Sequence, residues 1–168
     1  MPANNKGGCF VYVAAYSSAG RARMDFGVLK RRRDEGDIEH FDVALVHKDD
    51  EGEVHVRKRE RRTREGTVSG VGVGALLGVL IPFAAIPVTV SLNAAKGGLM
   101  AYFRKGMSRE DLQVLGEALG SGEAALVVLS AHDLADVLAA ELQGADRGVQ
   151  RRVEGESEEL RAALGAVV

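Results

Sequence analysis

The sequence lacks several residue types that would point to a particular class of protein. Tryptophan is absent, aromatic residues make up 5% of the chain, and only 3 of the 168 residues are proline. The single cysteine, Cys9, excludes an intramolecular disulfide and fits a reducing cytoplasm. The net charge of −2 gives no overall attraction to nucleic acid. Composition therefore argues against a disulfide-rich secreted scaffold and against a strongly basic nucleic-acid-binding domain.

Charge is also missing from one long stretch in the middle of the chain. The 30 residues from Gly66 to Ala95 contain no Asp, Glu, Lys or Arg, although charged residues make up 27% of the whole sequence. No amphipathic pattern marks a solvent-facing side, so a helix formed here must be covered all round. One small domain can hardly provide that cover, and we expect lipid or neighbouring copies to contribute to it.

Small residues in this stretch predict a glycine-zipper helical hairpin, inserted over residues 66–103. In the first arm, glycines recur every four residues, which places them on one helix face and opens a groove for another backbone. Two prolines mark the tip, and a second apolar arm follows from Val88 to Phe103. The residues expected to mediate oligomerisation are Gly66, Gly70, Gly74, Gly78, Ala94 and Gly98.

Basic residues flank the predicted hairpin on both sides, as the positive-inside rule requires of a membrane hairpin with cytoplasmic ends. The first arm, Gly66 to Ile81, would measure about 24 Å as a helix, whereas a bilayer core needs about 30 Å. Lys96 also lies inside the second arm. A membrane contact and a shared apolar interior of a homo-oligomer therefore both stay open. The flanking cations are Arg57, Lys58, Arg59, Arg61, Arg62, Arg64, Arg104 and Lys105.

Hydrophobic periodicity and capping residues predict regular elements on either side of the hairpin. In order, they are a strand over 9–16, a helix over 19–33, strands over 41–48 and 53–61, a helix from Ser108 to about Leu119, a strand over 124–129, a helix from about Asp133, a short edge strand over 149–153 and a final helix over 158–164.

Without the insertion, this order is β-α-β-β-α-β followed by C-terminal elements, which is the ferredoxin-like order. We therefore expect an α+β protein with a discontinuous domain formed by residues 9–65 plus 104–168. Its sheet is expected to be antiparallel, with the helices on one face. The hairpin is expected to enter between the third strand and the second helix.

Four segments taken together carry a resemblance to a known family. They are the strand from Phe41 to Val46, the acidic turn and strand over 49–56, the glycine pattern from Gly66 to Gly78, and the run from Glu117 to Leu126. On these segments the chain resembles a bacterial family of unknown function, described as predicted membrane proteins and often associated with general stress. The resemblance implies the same architecture, and it brings no established reaction and no catalytic residues.

The side chains that most often carry chemistry are scattered along the sequence. Only His47 and His55 are predicted to approach each other, across the hairpin of the second and third strands, and one histidine pair without a third ligand is a weak metal signal. Cys9 has no neighbouring base in the sequence, which predicts a small buried apolar residue. Residues 70–74 lack the lysine and hydroxyl residue of a phosphate-binding loop. We therefore expect no enzymatic activity, no cofactor and no metal site.

The function expected from these features is that of a non-enzymatic, membrane-associated protein. Its hairpin would drive homo-oligomerisation at the cytoplasmic side of the inner membrane. One alternative is a soluble, cytoplasmic homo-oligomer whose hairpins pack in a shared apolar interior. A further alternative is a small nucleic-acid-binding module, for which Phe10 and Tyr12 are the candidates for base stacking. Nucleic acid is not the expected partner, and no small-molecule substrate is indicated.

Overall fold

The computed structural model describes residues 9–36, 41–48, 54–60, 76–84, 103–130 and 133–154. Residues 76–80 and 103–106 form short helical turns. We call residues 76–84 the root segment, because they are the described part of the charge-free run. The other elements, in chain order, are β1 (Cys9–Tyr16), α1 (Ala19–Asp34), β2 (Phe41–Lys48), β3 (Val54–Glu60), a 3₁₀ turn within the root segment (Ile81–Ala84), α2 (Arg109–Gly120), β4 (Ala124–Ser130), α3 (Ala135–Glu141) and β5 (Arg147–Val153).

The five strands form one antiparallel sheet in the order β3-β2-β4-β1-β5. Its centre is β4, which pairs with β1 on one side and β2 on the other, so that Phe10 and Phe41 both lie opposite Ser130. Every residue of β4 is buried, and β1 is buried at all positions except Phe10, which is half-buried. The α+β class is therefore confirmed for the described residues.

The predicted ferredoxin-like order is not confirmed, because β3 does not take the expected place. In that order the third strand lies between the first and the second, whereas here β4 lies between β1 and β2. The sequences of β3 and β4 differ in a way that explains why β4, and not β3, lies between β1 and β2. The run of β4 is apolar at nearly every position, while β3 carries the successive cations Arg57, Lys58 and Arg59, which suit a sheet edge in contact with water.

Helices cover both faces of the sheet, which corrects the expectation that they lie on one face. Because side chains alternate along a strand, the even-numbered residues of β1 face one side and the odd-numbered residues the other. One side packs against the root segment, Phe103, Met107 and α2, which we call the α2 layer. The other side packs against α1 and α3, which we call the α1 layer. The sheet is thus the middle of three layers.

The helix ends follow the predicted capping residues. The hydroxyl of Ser108 accepts a hydrogen bond of 3.0 Å from the backbone N–H of Asp111, which begins α2 as expected. Ser18 accepts one of 3.4 Å from the N–H of Arg21 at the start of α1. Gly36, just beyond α1, has a φ of 80°. Glycine adopts this left-handed conformation readily, which explains why the helix stops there.

Candidate self-association site

The root segment lies inside the hydrophobic core of the domain. Its large side chains at 76, 77, 79, 80 and 81 are at most 2% exposed. They belong to the same core cluster as the inner residues of β1, β4 and α2. For these nine residues, the domain itself provides the cover that we expected from lipid or from neighbouring copies. Pro82 is exposed, and Gly78 and Phe83 are half-buried, so the segment reaches the surface at these three positions.

The root segment approaches α2 so closely that backbone meets backbone. A Cβ atom on Gly116 would lie 2.8 Å from the carbonyl carbon of Phe83 and 3.0 Å from the carbonyl oxygen of Leu80. A Cβ atom on Gly120 would lie 3.2 Å from the carbonyl carbon of Ala84 and would collide with its oxygen. Two glycines four residues apart on α2 therefore make room for the segment.

Sequence reasoning missed this glycine pair, although the signal was present. Gly116 and Gly120 have the same four-residue spacing that drew attention to the first arm of the predicted hairpin. Glycine inside a helix costs stability unless a close neighbour requires it. The local pattern instead predicts that Gly120, together with Gly122, ends the helix.

The stretch 85–102 lies outside the described residues, but the residues on either side of it are packed in the α2 layer. Ala84 is 7% exposed and Phe103 is fully buried, and both belong to the same core cluster. Just beyond, the N–H of Glu154 donates a hydrogen bond of 2.9 Å to the carbonyl oxygen of Gly106. A Cβ atom on Gly106 would lie 2.7 Å from the carbonyl oxygen of Glu154, so this turn is also held closely against the end of β5.

Only one of the predicted oligomerisation residues can be located. Gly78 is half-buried in the helical turn 76–80. The zipper groove as a whole stays a prediction, and so does the boundary of the inserted hairpin. The remaining members, Gly66, Gly70, Gly74, Ala94 and Gly98, lie outside the described residues.

The predicted flanking cations fall into two groups. Arg104 and Lys105 are exposed on the helical turn that follows the charge-free run. Arg57, Lys58 and Arg59 lie on the edge strand β3, where Lys58 is opposite Leu45 and Arg59 is opposite Ala44. The structure therefore places cations at the α2 layer and at one sheet edge. Arg61, Arg62 and Arg64 lie outside the described residues.

A buried polar contact joins three elements on the α1 side of the sheet. The hydroxyl of Tyr16 donates a hydrogen bond of 2.8 Å to Oδ2 of Asp25, and the N–H of Gly144 donates one of 3.0 Å to the same oxygen. Asp25 is 7% exposed. Burial raises the pKa of Tyr16, and the Asp25 carboxylate raises it further. The contact ties β1 to α1 and to the loop before β5, and no sequence signal marks it.

A second polar contact lies at the exposed rim of the same junction. The backbone N–H of Ser17 donates a hydrogen bond of 2.7 Å to Oδ2 of Asp146, which lowers the pKa of that carboxyl. Arg21 lies 4.0 Å from the other carboxylate oxygen. These groups join the end of β1 to the start of β5, and their arrangement is that of a structural junction.

The candidate reactive side chains do not converge within the described residues. Cys9 is fully buried, as predicted, and burial raises the pKa of its thiol to about 12, which leaves it a poor nucleophile. His47 lies directly opposite His55, so the predicted approach of these two residues is confirmed at the level of strand register. Nδ1 of His47 is buried and has no hydrogen-bond partner among the described residues. No group of three or more possible metal ligands occurs among them.

The aromatic residues of β1 are poorly placed for base stacking. Tyr12 is 7% exposed, and its ring lies across Gly148 of β5. Phe10 is half-buried, with the guanidinium of Arg152 5.9 Å from the centre of its ring. Single-stranded nucleic acid needs open aromatic faces on a sheet. The two covered faces of this sheet weaken the nucleic-acid alternative.

Comparison with family models, with curated proteins and with solved structures found no match for this chain. The resemblance to the bacterial stress-associated family therefore stays a prediction. Among the helices of the described residues, none combines the length and the apolar character needed to cross a bilayer.

Proposed function

We propose that the protein is a non-enzymatic module that self-associates at the cytoplasmic face of a membrane, with residues 66–103 supplying the contact between copies. The observation that supports this proposal is the burial of the root segment. Because Leu80 and its neighbours are packed on α2 with almost no exposure, the charge-free run is anchored in the domain. An anchored apolar run presents the same residues to each partner in the same orientation.

The burial of the root segment favours contact between copies over a hairpin that crosses a bilayer. Of the first arm, residues 76–81 are packed in the core of the domain. The ten residues 66–75 that precede them would measure about 15 Å as a helix. A bilayer core is about 30 Å thick. A partner chain needs no such length, because it covers whatever apolar surface is offered to it.

The composition of the stretch 85–102 favours the same reading. Lys96 is its single charged residue, and the flanking residues Ala84 and Phe103 are packed in one layer. Interfaces of homodimers are more apolar than ordinary protein surface, since each copy buries the same side chains against the other. A second copy is thus the partner of matching chemistry for this part of the chain.

The finer fold assignment belongs to the same proposal. Taken by themselves, β1-α1-β2 and β4-α3-β5 are two β-α-β units whose strands alternate in the order β2-β4-β1-β5. We propose that these two units form a ferredoxin-like arrangement, to which β3 is added as an edge strand. On this proposal, one long connection joins the two units. It consists of β3, the charge-free run and α2.

The test is the native mass of the full-length chain. Gly74→Leu fills the predicted groove, and we expect it to lower the native mass or to produce mixed assemblies, as measured by size exclusion with light scattering. The matched control is Gly27→Leu on α1, where a Cβ atom meets nothing within 4 Å. Circular dichroism checks that both variants fold. A monomeric wild-type protein, or an unchanged mass for Gly74→Leu, contradicts the proposal.

Insertion of the run into lipid is the second candidate function, and the exposed cations Arg104 and Lys105 at its base favour it. An inserted hairpin resists extraction from membranes by alkaline carbonate, whereas a peripheral protein is released. Substitutions are better suited to this comparison than removal of residues 66–103. That deletion would also remove seven core residues, Leu76, Leu77, Val79, Leu80, Ile81, Ala84 and Phe103.

A further inference from the structure

The outward side of α1 concentrates positive charge in a protein whose net charge is −2. The helix contains six basic residues and two acidic ones. One of the two acids, Asp25, points inward and is held by Tyr16 and Gly144. Its charge therefore does little to balance the cations on the surface. The other acid, Asp34, and the following Glu35 are exposed at the end of the helix and offset part of the positive charge. The exposed cations of α1 whose side chains the structure describes are Arg21, Arg23, Lys30 and Arg31.

An exposed apolar side chain lies among these cations. Met24 is 72% exposed, far more than any other large apolar residue among those described. Gly20, Met24, Gly27 and Arg31 follow one another at helical spacing along the outward line, and all four are exposed. A Cβ atom added to Gly27 would meet nothing within 4 Å, so packing within the domain does not explain why this residue is a glycine.

We propose that the outward face of α1 docks on an anionic bilayer surface, with Met24 entering the headgroup region and Arg23, Lys30 and Arg31 contacting lipid phosphates. Charge complementarity supports this occupant, since each cation near an anionic leaflet contributes about 1 kcal/mol to binding. A flexible thioether side chain suits the irregular boundary between headgroups and acyl chains. The glycines add no bulk, so the helix can lie close to that boundary.

A bilayer fits this face better than a nucleic acid does. Stacking on bases requires aromatic side chains, and Phe26, the aromatic residue of α1, is only 4% exposed because it faces the core. The exposed apolar group is Met24, which has no flat ring to offer. Cations around an aliphatic centre are typical of helices that lie on membranes.

The position of α1 fits the proposed function. This inference rests on that function, because it places the protein at a membrane. The α1 layer and the α2 layer cover opposite faces of the sheet. Docking through α1 directs the α2 layer, which contains Ala84 and Phe103, away from the bilayer and leaves that side of the domain for a second copy. One face would then carry the membrane contact and the other the assembly contact.

Vesicle binding tests the inference with the full-length protein. The vesicles contain phosphatidylcholine with or without one third phosphatidylglycerol, in about 0.1 M salt, where screening is moderate. The variant Arg23→Gln, Lys30→Gln, Arg31→Gln keeps good helix formers. We expect it to bind anionic vesicles about 100-fold more weakly, since about 1 kcal/mol for each cation is about fivefold. Met24→Gln, which removes the apolar group, is expected to weaken binding about fivefold.

The matched control removes three exposed cations outside α1, Arg109→Gln, Arg147→Gln and Arg152→Gln. It should bind anionic vesicles nearly as well as the wild-type protein. No wild-type binding, equal binding to neutral vesicles, equal losses in both triple variants, or tighter binding to single-stranded RNA than to anionic vesicles would each overturn the inference. Native mass measured in parallel keeps this result separate from the proposed function, because the α1 variants are expected to assemble normally.

Discussion

The two faces of the sheet are covered in opposite ways. In the α2 layer, an apolar segment lies so close to α2 that Gly116 and Gly120 have no room for a side chain. In the α1 layer, two helices are fastened by polar contacts, including Tyr16 to Asp25 and an ion pair of 2.9 Å between Arg32 and Glu141. The first layer depends on close backbone packing, and the second is additionally held by polar contacts between its elements.

This difference determines which surface of each layer remains available for contact with a partner. A helix with a polar outer side, such as α1, covers the core with one face and leaves the other for a partner. The root segment has no polar side, so nearly all of it is used for packing within the domain. Its sequence neighbours, rather than the segment itself, are what remain for contact with other copies.

The contrast between the two layers depends most on the root segment being a firmly packed part of the domain. Leu80→Ala in the α2 layer and Leu29→Ala in the α1 layer both remove a fully buried side chain. We expect each to lower the free energy of unfolding by about 2–5 kcal/mol. Denaturant unfolding followed by circular dichroism measures both. A cost below about 1 kcal/mol for Leu80→Ala alone would show that the segment is peripheral.

Alkaline pH sharpens the comparison, because both layers bury acidic groups whose pKa is raised. These are Cys9 in the α2 layer, and Tyr12 and Tyr16 in the α1 layer. Burial raises the pKa of Cys9, in the α2 layer, from 9.0 to about 12. A raised folded pKa gives stability that is complete below pH 9 and is lost as the pH rises toward 12, since the unfolded chain releases the proton first. We expect a loss of about 1.4 kcal/mol per pH unit in this window.

Denaturant unfolding between about pH 8 and about pH 11 measures this loss. In Cys9→Ala, the part of the loss of unfolding free energy that comes from the thiol should be absent above pH 9. The pKa of Tyr16, in the α1 layer, is raised from 10.0. Tyr16→Phe should therefore differ from the wild-type protein in slope only above pH 10. If Cys9→Ala keeps the wild-type slope between pH 9 and pH 10, the thiol does not have the raised pKa.

Adding one methyl group probes the backbone contact of the α2 layer. A Cβ atom on Gly116 would press on the backbone of Phe83 and Leu80, which cannot move aside without shifting the segment. Overpacking costs about 1–3 kcal/mol, and the better helix propensity of alanine offsets about 1 kcal/mol of it. We expect Gly116→Ala to lower the free energy of unfolding by up to about 2 kcal/mol. A stabilised variant would refute the close contact.

The same substitution in the α1 layer should have a small effect of opposite sign. Gly27 lies on the outward side of α1, and a Cβ atom there meets nothing within 4 Å. Gly27→Ala should raise the free energy of unfolding by about 0.5–1 kcal/mol, because alanine favours the helix and restricts the unfolded chain. Thermal unfolding of both alanine variants under one set of conditions provides the comparison. Destabilisation by Gly27→Ala would mean that α1 packs against something else.

Local pattern predicted the elements well, because each rests on residues close together in the sequence. The β-branched and aromatic run Cys9–Tyr16 forms β1 with the predicted bounds, and Ser108 caps α2 as expected. The register that places His47 opposite His55 joins two strands that are neighbours in the sequence. Such features depend on steric preference and hydrogen bonds over a few residues.

The place of β4 and the coverage of both sheet faces were not predicted, although part of the signal was available. A strand such as Ala124–Ser130, apolar at almost every position, needs cover on both faces and belongs in the middle of a sheet. The familiar β-α-β-β-α-β order led instead to helices on one face and β3 in the centre. The prediction relied on the order of the elements and did not take into account that β4 needs cover on both of its faces.

The sequence by itself determined the strands, the helices, their caps and the uncharged character of the run from Gly66 to Ala95, because propensity and periodicity act locally. Only the tertiary structure decided that β4 separates β1 from β2, that Gly116 and Gly120 receive the root segment, and that Asp25 meets Tyr16 and Gly144. Those pairings join residues far apart in the chain. Each is selected by how completely the whole arrangement buries apolar surface and satisfies buried polar groups, which no local window can show.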